Sequence, residues 1–457
     1  MSYRIFVVCL FVCSLVNCGS SPKSVLQSAD APAPAPTGSS PAPTPAPTPV
    51  SNGPDPTTTV SAQTANNTSA SENFPYQANG NLGANNISKV NIHSLLYPGA
   101  TTKVLAQLLM WFGDPRHMNV GYNSDDATQV KRQIDDMVSR GIDGVIVDWY
   151  GPNNSIDDAT RMVMHEAEKH SEFSFAIMID AGAIGWNPCN GCSPQQVLIN
   201  LLQYVEKTYF PSSAYLNIGG QPILTNFNVD NQYAVDWQGA NAQLKTPPRF
   251  IFQDNTGFTH SMSDGSYSWV MPWAGDYGLG YLENFYYTGL SFANLETVGA
   301  VYKGFNDQLA SWGSNRSIDQ QCGKTWLKTF SEINSIYNQG TQLPYLQVVT
   351  WNDYEEGTEI ESGIDSCFSF QASLSGNSLQ WSISGDESTV DHYNVYSSTD
   401  GQHLAQLTQL PVGTYSVDLC SLNLPTDNYQ IYLQAIGKPS MANRMPSPVS
   451  YRPTCGH

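Results

Sequence analysis

Between residues 103 and 357 the chain repeats one pattern eight times: a short, continuously apolar run followed by polar or amphipathic sequence. The runs are KVLAQLLMWFG (103–113), IDGVIVDWYG (142–151), FSFAIMIDAG (173–182), QPILTNFN (221–228), RFIFQDNTGF (249–258), YSWVMPWAG (267–275), ETVGAVYKGFND (296–307) and YLQVVTWNDYEEG (345–357). A half-exposed antiparallel strand would alternate polar and apolar residues, so runs this uniformly apolar fit strands of a parallel sheet buried on both faces. Several are separated by amphipathic helices. SDDATQVKRQIDDMVSRG (124–141) starts with acids suited to a helix's positive end, places Val130, Ile134, Met137 and Val138 on one face, and stops at Gly141. SIDDATRMVMHEAEKH (155–170), SPQQVLINLLQYVEKTYF (193–210) and KTWLKTFSEINSIYNQG (324–340) read the same way. Eight such units predict a (β/α)8 TIM barrel of class α/β rather than an open doubly wound sheet. No GxGxxG or GxxxxGK[ST] follows the first run, as a nucleotide-binding sheet would need.

The flanks differ in texture. From residue 366 to 457 only short alternations survive (SLQWSIS, VDHYNVYSS, HLAQLTQL, YSVDL, YQIYLQAIG), parted by turn-forming Asp, Gly, Asn and Pro. That is a small all-β sandwich, with Trp381, Tyr429 and Tyr432 expected in its core; its arrangement resembles a fibronectin type III module. Residues 19–72 are rich in Pro, Ala, Thr and Ser, too poor in apolar groups to fold, and predict an extended tether. The barrel is assigned to residues 73–365.

Residues 1–18 carry Arg4 and then an apolar run of a dozen residues, which is short for a membrane span and fits a signal peptide. The run ends Leu15-Val16-Asn17-Cys18 and resembles a bacterial lipobox, although Asn17 stands where Gly, Ala or Ser is preferred. The resemblance implies lipidation at Cys18 and a chain exported to the cell envelope on a lipid anchor; an ordinary secretory signal is the alternative. The remaining cysteines (189, 192, 322, 367, 420, 455) are even in number, as disulfides in an oxidising compartment require, and their pairing is open. Acids outnumber bases 39 to 20 for a net charge of -19, which argues against nucleic acid or an anionic membrane surface as a partner.

In a barrel the strand C-termini face the active site, so the polar and aromatic residues that end each run become site candidates. They are Trp111, Asp148, Trp149, Tyr150, Asp180, Asn226, Asp254, Trp273, Trp351 and Asn352, with Asp353 and Glu356 at the end of the last run. Carboxylates and amides beside large aromatics suit a neutral polyhydroxy ligand, because aromatic faces stack on sugar C–H surfaces and paired acids can cleave an acetal. His117, His165 and His260 are isolated, no HExxH or second CxxC exists, and neither a metal nor a cofactor is expected.

The stretch WNDYEEGTEIE (351–361) resembles the last-strand motif of glycoside hydrolase family 71, endo-α-1,3-glucanases with W-N-D-[YF]-G-E, and of family 99, endo-α-mannosidases and endomannanases with N-E-W-x-E-G-T-x-I-E. The segment GIDGVIVDWYG (141–151) is similar to their second-strand region. The resemblance implies hydrolysis of an α-linked poly- or oligosaccharide such as an α-glucan or α-mannan, in endo fashion. Asp353 then matches the first catalytic acid, a base acting on water or on the sugar's 2-hydroxyl, and Glu356 the general acid/base. Glu355 stands where the pattern often has Gly or His. The rival readings are a non-catalytic glycan-binding lipoprotein and a barrel serving as scaffold for the C-terminal module. Three residues apart on a straight strand the two acids would diverge, so the chain is expected to turn after Tyr354.

Overall fold

The computed structural model describes residues 60–61 and 87–455; the expected signal, Cys18 and most of the tether lie outside them. Eight strands form the barrel: β1 Lys103–Leu109, β2 Gly144–Trp149, β3 Ser174–Asp180, β4 Gln221–Phe227, β5 Arg249–Gln253, β6 Gly265–Tyr267, β7 Glu296–Val301 and β8 Tyr345–Val348. They run in the order β3-β2-β1-β8-β7-β6-β5-β4, and β3 pairs with β4 to close the ring. Every one of these pairings is parallel, with Tyr345 of β8 opposite Lys103 of β1 and Val298 of β7. This is a closed (β/α)8 barrel, in which the C-terminal ends of all eight strands share one mouth.

The helices sit where periodicity and caps put them. In α1 (Ala127–Ser139) the Asp126 side chain accepts from Thr128 N at 2.8 Å, and Val130, Ile134 and Met137 are buried. Val138, expected on the same face, is instead exposed at the rim of that stripe. Asn154 caps α2 (Ser155–Ala167). The short α3 (Ala181–Trp186) follows β3 directly, and α4 (Pro194–Thr208) starts with Ser193 as cap and Pro at its first position. Before β7 lies α5 (Leu279–Ser291), and before β8 lies α6 (Lys324–Ile336).

Two elements depart from the sequence expectation. The run 267–275 is not a strand: β6 ends at Tyr267, where the run begins. Strand β6 instead uses Gly265, because a Cβ there would stand 2.4 Å from the Glu296 carbonyl oxygen of the neighbouring strand. The run's aromatics belong to the loop that follows. Helix α5 carries apolar residues on several faces and shows no clean amphipathic stripe, yet buries Leu282, Phe285 and Tyr286.

After β8 the chain enters an antiparallel domain. Strands β9 (Ser369–Ser375), β10 (Ser378–Ser384) and β13 (Ser416–Asp418) form one sheet; β11 (Val390–Ser398), β12 (His403–Pro411), β14 (Tyr429–Gly437) and β15 (Val449–Tyr451) form the other, in the order β12-β11-β14-β15. Residues Val60–Ser61 add a short antiparallel strand at the β12 edge. Trp381 packs in the core with Leu379, Tyr393, Ile431 and Leu433. Tyr432, expected there, points to the opposite face because strand side chains alternate, and packs with Tyr396, Leu404 and Met445. Tyr429 is half-buried at the core's edge.

The sandwich is bonded to the barrel. Ile364 N donates to the Ser440 carbonyl and Ala442 N to the Ile364 carbonyl, both at 2.9 Å, and Trp326 of α6 donates to the Pro439 carbonyl at 3.1 Å. The Cys322–Cys367 disulfide crosses the same boundary; the other two pairs are Cys189–Cys192 and Cys420–Cys455.

Candidate active site

Immediately after β8 the chain turns on itself. Asp353 N donates to Thr350 Oγ1 at 2.8 Å, Thr358 N to the Asp353 carbonyl at 3.1 Å, and the Thr350 and Thr358 hydroxyls meet at 2.9 Å. Gly357 sits at φ +62°, in the left-handed region where a side chain is disfavoured. The turn redistributes five neighbouring acids among five environments. Asp353 Oδ1 accepts from Glu355 N at 3.0 Å and from Glu356 N at 2.9 Å, which curls Glu356 back over it. Glu356 Oε1 accepts from Trp312 Nε1 at 3.4 Å. Glu355 is buried against the loop after β1, where His117 Nδ1 donates at 2.9 Å and Met118 N at 3.0 Å. Glu359 pairs with Lys303 at 2.8 Å, both fully buried. Glu361, also buried, accepts from Tyr122 at 2.8 Å, Tyr354 at 2.9 Å and Gln133 at 2.9 Å. Three of the five acids are thus internal ties, leaving Asp353 and Glu356 for the mouth.

Two more carboxylates meet them there. Asp148, at the end of β2, has an Oδ1 with no hydrogen-bond partner, and burial together with the charges of Asp180, Asp353 and Glu356 pushes its pKa well up. Asp180, at the end of β3, accepts from Gly182 N at 2.5 Å; burial raises it to about 6, against hydrogen bonds from Gly182 and the Tyr150 hydroxyl. Burial, then the Glu356 charge, raises Asp353 well above the carboxylate range. Burial raises Glu356 to about 7, opposed by the Trp312 hydrogen bond and the Arg316 charge. Like charges in one dry cleft resist full ionisation, so the group retains a proton near neutrality. When Glu356 holds that proton its repulsion of Asp353 vanishes, and the Glu356 amide then lowers Asp353 against the burial that raises it.

The remaining candidates divide by burial. Trp111 packs flat on His117 with ring centres 4.9 Å apart, and edge-on to Tyr150 at 6.0 Å. Asp254 accepts from Tyr281 at 2.6 Å and is raised by burial. Tyr267 donates to the Asn226 carbonyl at 2.7 Å and senses Asp254, Asp148 and Asp180, which ties that side of the mouth to the acid group. Trp273 lies on the exposed loop after β6.

Three candidates are turned away from the cleft. Trp149 is fully buried, donates to Asp157 at 3.0 Å and stacks on Tyr204. Trp351 is 0% exposed beneath the Arg140 guanidinium, 4.8 Å from the ring centre. Asn352 is buried and bonded both ways to Leu109 of β1, at 2.9 and 2.8 Å, so it pins the last turn to the first strand. Strand alternation sends neighbours to opposite faces, which is why Asp148 faces inward and Trp149 does not.

The sequence reading missed Trp186, Trp312, Arg116 and Arg316, because it took only residues ending apolar runs, and these lie further along, Trp186 at the end of α3 and the others on loops. It also set His117 aside as isolated, whereas Glu355, distant in sequence, is its partner. Among the described residues, Asp135, Glu166 and His170 offer ligand atoms within 4.8 Å of one another, but on the outer helices; Lys131 and Lys169 already occupy the two acids there.

No protein-family model and no curated protein matches this sequence. Among solved structures, the chain is similar to two structures of the GH99 endo-alpha-mannosidase from Bacteroides thetaiotaomicron. Identities are 18% and 16%, covering 57% of this chain and 87% and 88% of those, with a TM-score of 0.45 for each. A glycoside hydrolase-like protein aligns at 14% identity over 57% of this chain and 87% of its own, with a TM-score of 0.43. At these values the likeness assigns neither substrate nor residues, and the barrel stands on its own strand pairing.

Proposed function

We propose that the barrel is a glycoside hydrolase acting on an α-linked glycan, an α-glucan or α-mannan, in endo fashion. The observation that carries this reading is the turn after β8, in which the Glu356 amide donates to Asp353 Oδ1 and holds the two acids together, while burial raises Glu356 to about 7. A carboxylic acid still protonated near neutrality is what cleavage of an acetal requires of its general acid. Glu356 gives its proton to the glycosidic oxygen as the bond from that oxygen to the anomeric carbon breaks. Water adds to that carbon and passes its proton to the Asp353 carboxylate; alternatively Asp353 takes the proton of the sugar's 2-hydroxyl, which then closes on the carbon before water opens it. The balance is one water consumed and one glycosidic bond lost. Asp148, whose buried Oδ1 has no hydrogen-bond partner, and Asp180 are assigned to the sugar's hydroxyls. The WNDYEEGTEIE resemblance supports the assignment of roles.

The proposal includes export to the cell envelope with lipidation at Cys18, as the N-terminal sequence suggests, and a fibronectin-like role as spacer for the C-terminal sandwich. A panel of neutral α-glycans, assayed for new reducing ends with wild type and Glu356→Gln, tests it. Equal cleavage by the two proteins, or none by wild type, would sink the proposal.

A further inference from the structure

Of the ten tryptophans, three are exposed: Trp186 at 47%, Trp273 at 67% and Trp312 at 41%. All three follow the C-terminal ends of barrel strands on the rim that carries the acids, Trp186 as the last residue of α3 after β3, and Trp273 and Trp312 on the loops after β6 and β7. Indoles left in water around one mouth, while the others are buried or half-buried, are a surface awaiting an apolar face.

Two of them are joined by a continuous row of rings. Trp186 packs on Tyr150 with centres 4.8 Å apart, Tyr150 meets Trp111 at 6.0 Å, and Trp111 meets Trp312 at 6.2 Å. Two members of the row are fixed to the reacting groups, Tyr150 by its hydrogen bond to Asp180 and Trp312 by its indole N–H on Glu356 Oε1. The row passes from the end of β3 by way of Tyr150 after β2 and Trp111 after β1 to the segment after β7, and β3 and β7 stand four places apart in a ring of eight.

The charges narrow the occupant. The Arg116 guanidinium lies 5.1 Å from the Trp186 ring centre, and that of Arg316 lies 5.8 Å from the Trp273 ring centre. Neither is a free cation: Asp114 holds Arg116 at 2.6 Å and the buried Asp307 holds Arg316 at 2.7 Å. Facing them are Asp148, Asp180, Asp353 and Glu356, which would repel an acidic sugar.

We infer that Trp186 and Trp312 are sugar platforms on opposite sides of the scissile bond, so that an uncharged glycan chain lies across the mouth with residues bound on both sides of the acids. This rests on the proposed hydrolase and specifies its substrate class: neutral, cut internally, with uronate or sulfated chains rejected.

Glu356→Gln, which retains the cleft, serves as the binding host in calorimetric titrations with neutral α-glucan and α-mannan oligosaccharides and with oligogalacturonate. Adding Trp186→Ala or Trp312→Ala should each weaken binding of the neutral ligand by roughly tenfold or more, with partial recovery by Phe. Tyr287→Ala, an exposed aromatic on the outer helix α5, should change nothing. Unchanged affinity in both tryptophan variants overturns the platforms while leaving the hydrolase standing, provided wild type cleaves the same glycan. Tighter binding of oligogalacturonate overturns the neutral-substrate assignment. Absence of both cleavage by wild type and binding by the host overturns the hydrolase, and the platforms with it.

Discussion

Glu355 spends both carboxylate oxygens on the loop after β1: His117 Nδ1 lies 2.9 Å from Oε2 and Met118 N 3.0 Å from Oε1. The His117 ring in turn lies flat on Trp111. Glu355 is thus a clamp that docks an aromatic loop onto the turn after β8. Glu355→Ala leaves a half-buried amide and a half-buried imidazole without their partner, at a cost of up to about 1–3 kcal/mol for each group. The expected result is faster hydrogen exchange at the Met118 amide and a lower melting temperature. Unchanged exchange across residues 113–122 would contradict the clamp.

If Glu356 is the general acid proposed above, it sets the alkaline limb of activity. As general acid it works only while protonated, and burial holds its pKa at about 7, so the rate should fall as pH rises through that value. Arg316 pulls this pKa down, and Asp307, its partner, pushes it up. Arg316→Gln removes the first and unmasks the second, so the alkaline limb should move to higher pH. A limb that stays in place, or moves to lower pH, would show that Glu356 is not the group being titrated.

Lys303 and Glu359 form a fully buried ion pair under the turn, with burial first among the causes that lower Lys303 to about 8 and raise Glu359 to about 7. Breaking such a pair leaves a lone buried charge and costs about 3–5 kcal/mol, whereas replacing both members with apolar residues is often neutral. Lys303→Met should therefore destabilise strongly, and Lys303→Met with Glu359→Leu should regain most of the loss in denaturant titrations. A double variant as unstable as the single would mean that the pair is held by more than mutual neutralisation.

The Cys322–Cys367 bond closes a separation of 45 residues and ties the start of α6 to the entry of the sandwich. Cys322→Ser with Cys367→Ser should cost about 2–4 kcal/mol. Because Ile364, Trp326 and Ser440 hold the same boundary, melting should remain a single transition. Two resolved transitions would show that the disulfide alone couples the domains.

The barrel was legible because its strands are buried on both faces, a condition that writes an unbroken apolar run into the sequence. Where that signal was borrowed by a loop, at 267–275, or diluted by apolar residues on several faces, at α5, reading failed. The cluster of acids at 353–361 was visible, but its division of labour was not: Glu355, Glu359 and Glu361 take partners from residues 117, 303 and 122, which only the folded chain brings near. Trp351 and Asn352 look like site residues by position, yet one lies under Arg140 and the other bonds Leu109. Trp186 ends the short helix α3 and Trp312 lies on the long loop after β7, beyond the apolar runs that mark the mouth in the sequence.

The account rests on Glu356 as proton donor in a cleft shared with Asp353. Release of reducing ends from neutral α-glycans, compared between wild type and Glu356→Gln at a pH below 7, tests that most directly. Measurable release by wild type with a fall of at least roughly a hundredfold in the variant, its glycan binding retained, is the result predicted. Equal release by both proteins would contradict it.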